Sequence, residues 1–320
     1  MIWVFAEDID PHADMVIHAL ENRGADVLRI NPECLDERLG ALSFGLNANG
    51  KITGHLTYLK RTADLANVSA VFCRNYHFQF AEESEEKSAD DLLIAKELKA
   101  AFMSLCECLD CLWVNAPWHM DACENKAVQM QVARRLGFLV PELLITNIPE
   151  SLLEFSALQE VVAKQLSNIC VFTEDRQSAK ALYTHLITPE DLEHLEDLKQ
   201  SPAFFSNFID KEYDVRVTVI GEKMFAVKIF SQVFPESQVD FRRKEGDHQM
   251  EAFELPQEIT DKIMRLMQHF NLQFGALDFA VDHQGRYWFL EVNSEANWLW
   301  MEKQLGLDIS QQVADNLYRK

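Results

Sequence analysis

Short apolar runs alternate with amphipathic stretches along the first 115 residues. The runs that predict buried strands are IWVFA, DVLRI, VSAVFCR and LWVNAP. The intervening segments, such as ADMVIHALENRGA, have apolar residues at helical spacing, and Gly24 is suited to ending that helix. Because strands and helices alternate, the pattern indicates an open α/β sheet for residues 1–115.

The pattern changes near residue 116. A helix with the sequence ACENKAVQMQVARRLGF and two strand-like runs, ELLITN and EVVAKQL, indicate a central domain over residues 116–200. Thr188 followed by Pro189 predicts the start of a further helix, because these residues are favoured at the N-cap and the first helical position. Residues 201–320 return to strands, with hairpin turns predicted at IGEK and DHQG and two short helices at the end.

Composition narrows the class of protein. The chain has 320 residues, of which 48% are hydrophobic and 25% charged, as in a globular protein with two or three domains. Its net charge of −21 argues against general nucleic-acid binding, which needs a basic surface. No apolar run of about 18 residues predicts a membrane span, and no signal sequence is evident. We expect the seven cysteines to be free thiols in a reducing cytoplasm.

Three cysteines lie close together at the end of a predicted helix: Cys106, Cys108 and Cys111. Their C-x-C-x₂-C spacing, with no second pair of the C-x-x-C type, is not that of a closed zinc site. Small buried thiols are the interpretation we favour.

The second predicted hairpin carries the clearest candidate site. A turn of even length would pair Asp278 with Phe289 and place Asp278, Glu291 and Asn293 on one face. Three oxygen donors suit Mg²⁺, which takes its other ligands from water and substrate phosphates. The alternative is the polar outer face of an ordinary hairpin. The opposite face would be apolar and pack on the core through Leu277, Phe279, Val281, Trp288, Leu290 and Val292.

These residues resemble the ATP-grasp ligases. Asp278, with Glu291 and Asn293 about a dozen residues later, resembles the magnesium-binding end of that fold. The segment ENK at 124–126 is similar to the first ATP-contacting lysine, and VVAKQ at 161–165 to the strand with the second. Two further segments fall where the family has its adenine-contacting strand and the strand after it, namely FFSNFID at 204–210 and DVRVTVIG at 214–221.

A closer resemblance is to the ATP-grasp maturases that cyclise microviridin-type ribosomal peptides. It is carried by EVNSEANWLWMEKQLGLDIS, RVTVIGEKMFAVKIFSQ and VDFRRKE, which lie in the order expected for that group. Two positions depart from the family pattern. Ser294 stands where proline is usual, and Arg74 stands alone where tandem arginines are common.

The resemblance implies an ATP-grasp fold with an N-terminal open α/β-sheet domain, divided as 1–115, 116–200 and 201–320. It implies an ADP-forming ligase that uses ATP and Mg²⁺ to activate Asp or Glu side chains of a precursor peptide. The implied metal ligands are Asp278, Glu291 and Asn293. The implied catalytic residues are Arg242, Arg216 and Lys164. The implied nucleotide contacts are Lys126, Lys164, Ser206, Asn207, Phe208 and Ile209.

The same resemblance implies a homodimer and a helical leader peptide that docks near the central hairpin and residues 189–199. We expect Asp214 to accept a hydrogen bond from the peptide or to fix Arg216. Trp298 and Trp300 are expected to start a helix and hold the ligand strand in place. Two other functions remain open, a RimK-like ligase that adds a free amino acid and an ATP-binding module without catalysis.

Overall fold

The chain folds into two units. In this computed structural model the described residues are 1–75, 88–167, 170–172, 179–244 and 248–318. Unit 1 consists of residues 1–120, 272–274 and 297–320, and unit 2 of residues 121–271 and 275–296. The division into three domains at 115/116 and 200/201 stays a prediction.

Unit 1 contains a parallel sheet and a separate antiparallel sheet. Its strands are β1 (Ile2–Phe5), β2 (Val27–Ile30), β3 (Leu39–Leu46), β4 (Ile52–Tyr58), β5 (Arg61–Asp64), β6 (Ala70–Cys73) and β7 (Leu112–Val114). Its first helices are α1 (Pro11–Glu21), α2 (Leu35–Arg38) and α3 (Ala89–Cys108). The parallel sheet has the order β2-β1-β6-β7, which confirms the predicted open α/β sheet. The antiparallel sheet has the order β3-β4-β5.

Polar caps set where these helices begin. Asp10 accepts hydrogen bonds from the N–H groups of His12 and Ala13 at the start of α1. Ser88 and Asp91 form a reciprocal capping box at the start of α3. The predicted beginning of that helix at residues 84–87 lies outside the described residues.

Unit 2 contains the remaining sheets. Helix α4 (Pro117–Glu124) spans the boundary of the units, and α5 (Lys126–Arg135) follows it. The first group of elements is β8 (Leu143–Thr146), α6 (Pro149–Ser156), β9 (Val161–Lys164), β10 (Cys170–Phe172), β11 (Ala179–Ala181), β12 (His185–Leu186) and α7 (Pro189–Glu193). The second is β13 (Ala203–Asn207), β14 (Lys211–Ile220), β15 (Lys223–Ile229), β16 (Met250–Phe253), α8 (Gln257–His269), β17 (Phe274–Asp282) and β18 (Tyr287–Asn293).

Two sheets of unit 2 frame the candidate site. One has the order β12-β9-β13-β8, and the other β16-β15-β14-β17-β18. Strands β10 and β11 form an antiparallel pair of their own. Gly221, at φ +58°, forms the turn between β14 and β15, which confirms the predicted first hairpin.

Two predicted helices differ in detail from the structure. The segment around Lys126 was predicted as one helix, which is wrong, because Asn125 ends α4 and caps α5 through the N–H of Val128. Lys126 thereby becomes the first residue of α5. Thr188 is the N-cap of α7 as predicted, but α7 ends at Glu193 and residues 195–200 form a 3₁₀ helix.

The last helices, α9 (Leu299–Leu305) and α10 (Ile309–Leu317), belong to unit 1. Trp298 precedes α9 and is fully buried, with ring contacts to His12 at 4.5 Å and Phe274 at 5.2 Å. Its Nε1 donates to Ser310 Oγ at 2.9 Å. These partners lie on α1, on α10 and at the first residue of β17, and the predicted packing of Trp298 on the ligand strand β18 stays a prediction. Among the described helices, none is long and apolar enough to cross a membrane.

Candidate active site

The turn between β17 and β18 has an odd number of residues. The N–H of Asp282 donates to the carbonyl of Arg286, and Gly285, at φ +73°, occupies the left-handed position of the three-residue loop. The Asp282 side chain accepts from the N–H groups of Gln284 and Arg286 and so holds the loop closed. The predicted even turn, and with it the pairing of Asp278 with Phe289, is wrong.

A bulge at Leu290 reverses the effect of the odd turn. Phe279 pairs with Phe289, whereas the next pair is Asp278 with Glu291, so Leu290 is the additional residue. Each irregularity turns the side chains of β18 to the other face of the sheet. The two cancel beyond Leu290, and Glu291 lies directly opposite Asp278.

The odd turn moves the residues between it and the bulge to the other face of the sheet. Phe289 is fully buried and packs on Phe138 and Phe279, at ring distances of 5.7 Å and 5.9 Å. Leu290 instead lines a pocket, together with Ala280. Trp288 is half-buried, and its Nε1 donates to Asp282 Oδ2 at 2.9 Å. The prediction that Phe289 shares the polar face while Trp288 and Leu290 pack on the core is therefore wrong for all three residues.

Asp278, Glu291 and Asn293 form a crowded oxygen-rich group. Asn293 Nδ2 donates to Glu291 Oε1 at 3.2 Å and lies 3.4 Å from Asp278 Oδ2. Burial raises the pKa of Asp278 to about 6, the charge of Glu291 adds to this, and Arg216 opposes it. Asp278 Oδ1 has no hydrogen-bond partner within the described chain. A buried carboxylate with an unsatisfied oxygen, next to a second, partly buried carboxylate, favours binding of a cation.

This donor set could hold a magnesium ion. Mg²⁺ binds protein through one or two carboxylates and completes its shell with water and phosphate oxygens. No cluster of three or more His, Cys, Asp or Glu side chains that could hold a metal occurs in the described part of the chain. Two carboxylates and one amide oxygen therefore fit a shared Mg²⁺–phosphate site better than a metal held by protein alone.

Cationic side chains approach Glu291. Burial opposes the ionisation of Glu291, but Lys164, Arg242 and Lys126 together hold its pKa below the usual range. Lys126 begins α5, and its Nζ donates to the main-chain oxygen of Gln165 at 2.8 Å, immediately after Lys164 at the end of β9. The two predicted phosphate-binding lysines thus come from different elements to the same place.

Arg242 is held by a buried carboxylate. Its Nε and Nη2 donate to the two oxygens of Asp240 at 2.9 Å and 2.6 Å. Asp240 also accepts from the N–H of Thr184 at 2.9 Å, so the arginine is fixed relative to the β11–β12 connection. The neighbouring Arg243 lies against the ring of Tyr183 instead. Of the two arginines, Arg242 is the one whose charge acts on Glu291 and Asp278.

Asp214 does not hold Arg216 in place. Its oxygens accept from Lys211 Nζ at 2.9 Å and Ser231 Oγ at 2.5 Å, and all three residues are buried. Arg216 instead faces Asp278, with Nη1 3.7 Å from Oδ1. The expectation that Asp214 fixes Arg216 is therefore wrong.

A pocket in unit 2 brings together the residues predicted to contact adenine. Ser206, Asn207, Phe208 and Ile209 line it with Lys164 and Lys211. The N–H groups of Asn207 and Phe208 already donate to Glu142 and Glu160, which leaves the N–H of Ile209 as the candidate donor to a base. The remaining lining residues are Pro141, Val162, Thr184, Val239, Ala280 and Leu290.

The cysteine cluster belongs to unit 1. Cys106 is buried and Cys108 exposed. Burial raises the pKa of the Cys111 thiol to about 12, so this thiol stays protonated at neutral pH.

Solved structures of known function have the same fold. The macrocyclase MdnC of Microcystis aeruginosa MRC, bound with precursor peptide MdnA, matches 99% of this chain and 98% of its own, with 28% identity and a TM-score of 0.82. The RiPP-associated ATP-grasp ligase of Chryseobacterium gregarium, in complex with ADP and a leader and core peptide, matches 99% and 96%, with 25% identity and a TM-score of 0.86. The chain is an ATP-grasp ligase.

More distant relatives agree in fold alone. The RimK domain ATP-grasp protein of Sphaerobacter thermophilus DSM 20745 covers 99% of this chain with 98% of its own, at 14% identity and a TM-score of 0.57. No model of a known protein family and no curated protein sequence matches the chain. The resemblance to ATP-grasp peptide maturases, which rested on separate short segments, is confirmed over the full length.

Sequence reasoning missed several residues that line this pocket. Leu290 was missed because an odd turn and a bulge leave no strong pattern in the sequence. Lys211 was missed although a signal existed, since a lysine three residues before Asp214 at a strand start can pair with it in the interior. Val239 and Thr184 lie in irregular segments that periodicity does not address.

Phe289 and Leu290 should respond differently to truncation. We expect Phe289→Ala to lower the free energy of unfolding by about 3–5 kcal/mol, because it leaves a cavity among buried rings. Leu290→Ala should cost less and should weaken ADP binding, because this side chain lines the pocket. Urea unfolding and titration calorimetry with ADP measure the two effects. Equal destabilisation with unchanged ADP affinity would contradict the bulge at Leu290.

Proposed function

We propose that this ATP-grasp ligase closes rings in a ribosomal precursor peptide, using ATP and Mg²⁺. It joins an Asp or Glu side-chain carboxylate to a Ser or Thr hydroxyl, giving a lactone, or to a Lys amine, giving a lactam. The observation that carries the proposal is the Asp278–Glu291 pair, whose charge is opposed by Lys126, Lys164 and Arg242, in the unit that also contains the pocket lined by Ser206 to Ile209. Similarity to MdnC and to the Chryseobacterium ligase, both solved with peptide, supports the substrate class.

The reaction needs activation because a carboxylate is a poor acyl donor. A carboxylate oxygen attacks the γ-phosphorus of ATP, the bond from that phosphorus to the bridging oxygen of ADP breaks, and an acyl phosphate forms. The hydroxyl or amine of the acceptor then attacks the acyl carbon. Phosphate leaves with the carboxylate oxygen, and the proton of the acceptor is released. Each new bond removes one water from the peptide.

Each residue of the site has a role in this scheme. Lys126 and Lys164 neutralise the phosphates as point charges. Arg242, oriented by Asp240, can donate to the oxygens of the transferred phosphoryl group. When bound, Mg²⁺ would neutralise phosphate charge and act as a Lewis acid, with Asp278, Glu291 and Asn293 as its protein ligands. Ser206, Asn207, Phe208 and Ile209 would hold the adenine.

The leader segment of the precursor is expected to dock on the acidic surface of α7 and the 3₁₀ helix after it. This surface carries exposed Glu190, Glu193, Glu196 and Asp197. Their charge would attract basic leader residues. The expected homodimer and cytoplasmic location stay predictions; light scattering of the purified protein measures the first.

A direct incubation distinguishes the possible functions. The protein is mixed with ATP, Mg²⁺ and short candidate precursor peptides rich in Thr, Lys, Asp and Glu, chosen from the genes that neighbour its own, and the products are analysed by mass spectrometry. Loss of one water per bond, with equimolar ADP, is the expected result. A mass gain of one amino acid would instead establish the RimK-like reaction. No ADP with any peptide would favour the module without catalysis.

Glu291→Gln should abolish ADP formation while leaving the fold intact. The substitution keeps the shape of the side chain but removes the charge that the metal and the three cations require. We expect peptide-dependent ADP release to fall by about 1000-fold or more, the scale of losing a central electrostatic contact. Glu251→Gln, an exposed carboxylate on β16 of the same sheet, is the matched control. Wild-type turnover by the Glu291 variant would refute the metal assignment.

Reversing charges on α7 tests the leader site. The double variant Glu190→Lys and Glu193→Lys should raise the KM for the full precursor while leaving ADP affinity unchanged, because these exposed acids lie on the proposed docking surface. The effect should shrink at high salt, where surface charges are screened. Glu21→Lys, an exposed acid on α1 of unit 1, is the control. An unchanged KM at low salt would place the leader elsewhere.

A further inference from the structure

Two adjacent cations beside the candidate site have no acidic partner among the described residues. Arg243 and Lys244 follow Arg242 on the 3₁₀ segment Phe241–Lys244. Arg242 is ion-paired with Asp240 at 2.6 Å, whereas neither of the next two residues forms an ion pair within the described part of the chain. The chain contains 51 acidic and 30 basic residues, so carboxylates are abundant. This short segment nevertheless keeps two positive charges that no described carboxylate neutralises.

Aromatic rings hold both cations in place. The guanidinium of Arg243 lies over the ring of Tyr183 at 5.2 Å, and the ammonium of Lys244 lies 5.8 Å from the ring centre of Phe234. Arg243 Nη2 also donates to the main-chain oxygen of Thr184 at 3.4 Å. A ring attracts a cation without cancelling its charge. These contacts therefore orient the two side chains and leave most of their N–H groups for an anion.

Arg243 lies next to the pocket but outside the main group of cations at the metal ligands. Thr184, to which it donates, is one of the residues that line the pocket. The charge of Glu291 is opposed chiefly by Lys164, Arg242 and Lys126. The charge of Arg243 is therefore not taken up by the metal ligands, and it can act on an anion that binds beside them.

The substrate peptide is the anion that these two charges fit best. The phosphates of the nucleotide are assigned to three other cations and to Mg²⁺. Ring closure uses one Asp or Glu carboxylate per bond, so an acidic neighbour stays ionised while the donor reacts. Successive residues of an extended peptide lie roughly 3.4 Å apart. A carboxylate one or two positions from the donor can therefore reach a cation next to Arg242, which we assign to the transferred phosphoryl group.

We propose that Arg243 and Lys244 bind a second carboxylate of the substrate peptide, on a residue that flanks the reacting Asp or Glu. Arg243 donates through its guanidinium to this carboxylate, and Lys244 adds a point charge. The flanking carboxylate is held while the donor reacts and is not itself phosphorylated in that step. The two cations thereby select a donor that has an acidic neighbour. The assignment rests on the proposed function for the identity of the substrate.

Two matched peptides measure this selection. One is a precursor that the protein cyclises, and in the other the acid beside the first donor is changed to its amide. We expect the wild type to close the first ring with a KM about tenfold lower for the acidic peptide, as for a hydrogen bond between charged groups. The double variant Arg243→Gln and Lys244→Gln should lose this difference and keep the wild-type affinity for ADP. Equal KM values in the wild type would overturn the proposal. Weaker ADP binding by the variant would overturn it too, because the cations would then belong to the nucleotide.

A variant with the same loss of charge separates a binding site from the mean field of the protein. Lys51→Gln with Arg265→Gln also removes one lysine and one arginine, both exposed, the first in unit 1 and the second on α8. Its KM for the acidic peptide should equal that of the wild type, whereas the KM of Arg243→Gln with Lys244→Gln should rise about tenfold. An equal rise in both variants would attribute the effect to net charge and refute the site.

Reversing one charge tests whether Arg243 contacts the flanking residue. Arg243→Glu should prefer a peptide in which the flanking acid is replaced by lysine, because the signs of both partners are then exchanged. A purely structural role of Arg243 predicts lower activity with every peptide and no reversal of preference. A variant that still prefers the acidic peptide would contradict the proposed contact.

Calorimetry decides the site even if the proposed function fails. The probes are N-acetyl-Glu-Glu-amide and N-acetyl-Glu-Gln-amide, each titrated into the protein with ADP and Mg²⁺. The wild type should bind the first probe about tenfold more tightly, and Arg243→Gln with Lys244→Gln should bind both equally. A wild type that shows this difference but cyclises no peptide would refute the function alone. A wild type that cyclises peptides but shows equal or undetectable binding of the two probes would refute the site alone.

Discussion

The candidate site depends on the repulsion between two adjacent carboxylates. Asp278 and Glu291 lie directly opposite each other on neighbouring strands, the first buried and the second partly buried, so water screens them incompletely. Lys126, Lys164 and Arg242 offset part of the charge, but Asp278 keeps a raised pKa and an oxygen without a partner. The protein alone does not neutralise this pair, so the site is complete only with a cation. The three cations also carry more positive charge than the two carboxylates offset. The site can therefore accept the negative charge of a polyphosphate that binds the same metal.

The backbone of one hairpin enforces this arrangement. An odd turn at Gly285 and a bulge at Leu290 each reverse the side-chain alternation of β18, and together they restore it. Only the residues between the two irregularities are displaced, which places Phe289 in the core and Leu290 in the pocket. The same short strand therefore supplies core packing, a pocket wall and the ligand pair, each within a few residues of the others.

Many residues of the candidate site could be predicted from the sequence because charged and amide side chains are unusual in or next to apolar strands. A lysine in the strand VVAK, and an acid and an amide at the end of an apolar strand, are costly unless something binds them. The ATP-grasp fold explains why these side chains lie close together. The hairpin register could not be predicted, since turn length and bulge are set by φ > 0 at Gly285 and by packing of Phe289 on Phe138. The partners of Asp214 and Trp298 were missed for a related reason, because they come from irregular segments or from distant positions in the chain.

Because the protein is strongly acidic, the site itself must supply the attraction for ATP. At a net charge of −21 the mean field repels ATP, so the attraction has to be local. Lys126, Lys164 and Arg242 supply it, and they come from a helix start, a strand end and a 3₁₀ segment. Arg242 is held in place by buried Asp240, which itself bonds to Thr184 of the pocket wall. The cation that we propose for the transferred phosphoryl group is thus tied to a wall of the pocket that we propose for the base. In the described part of the chain, hydrogen bonding therefore fixes one of the proposed phosphate-binding cations in place, so that local positive charge can oppose the negative mean field.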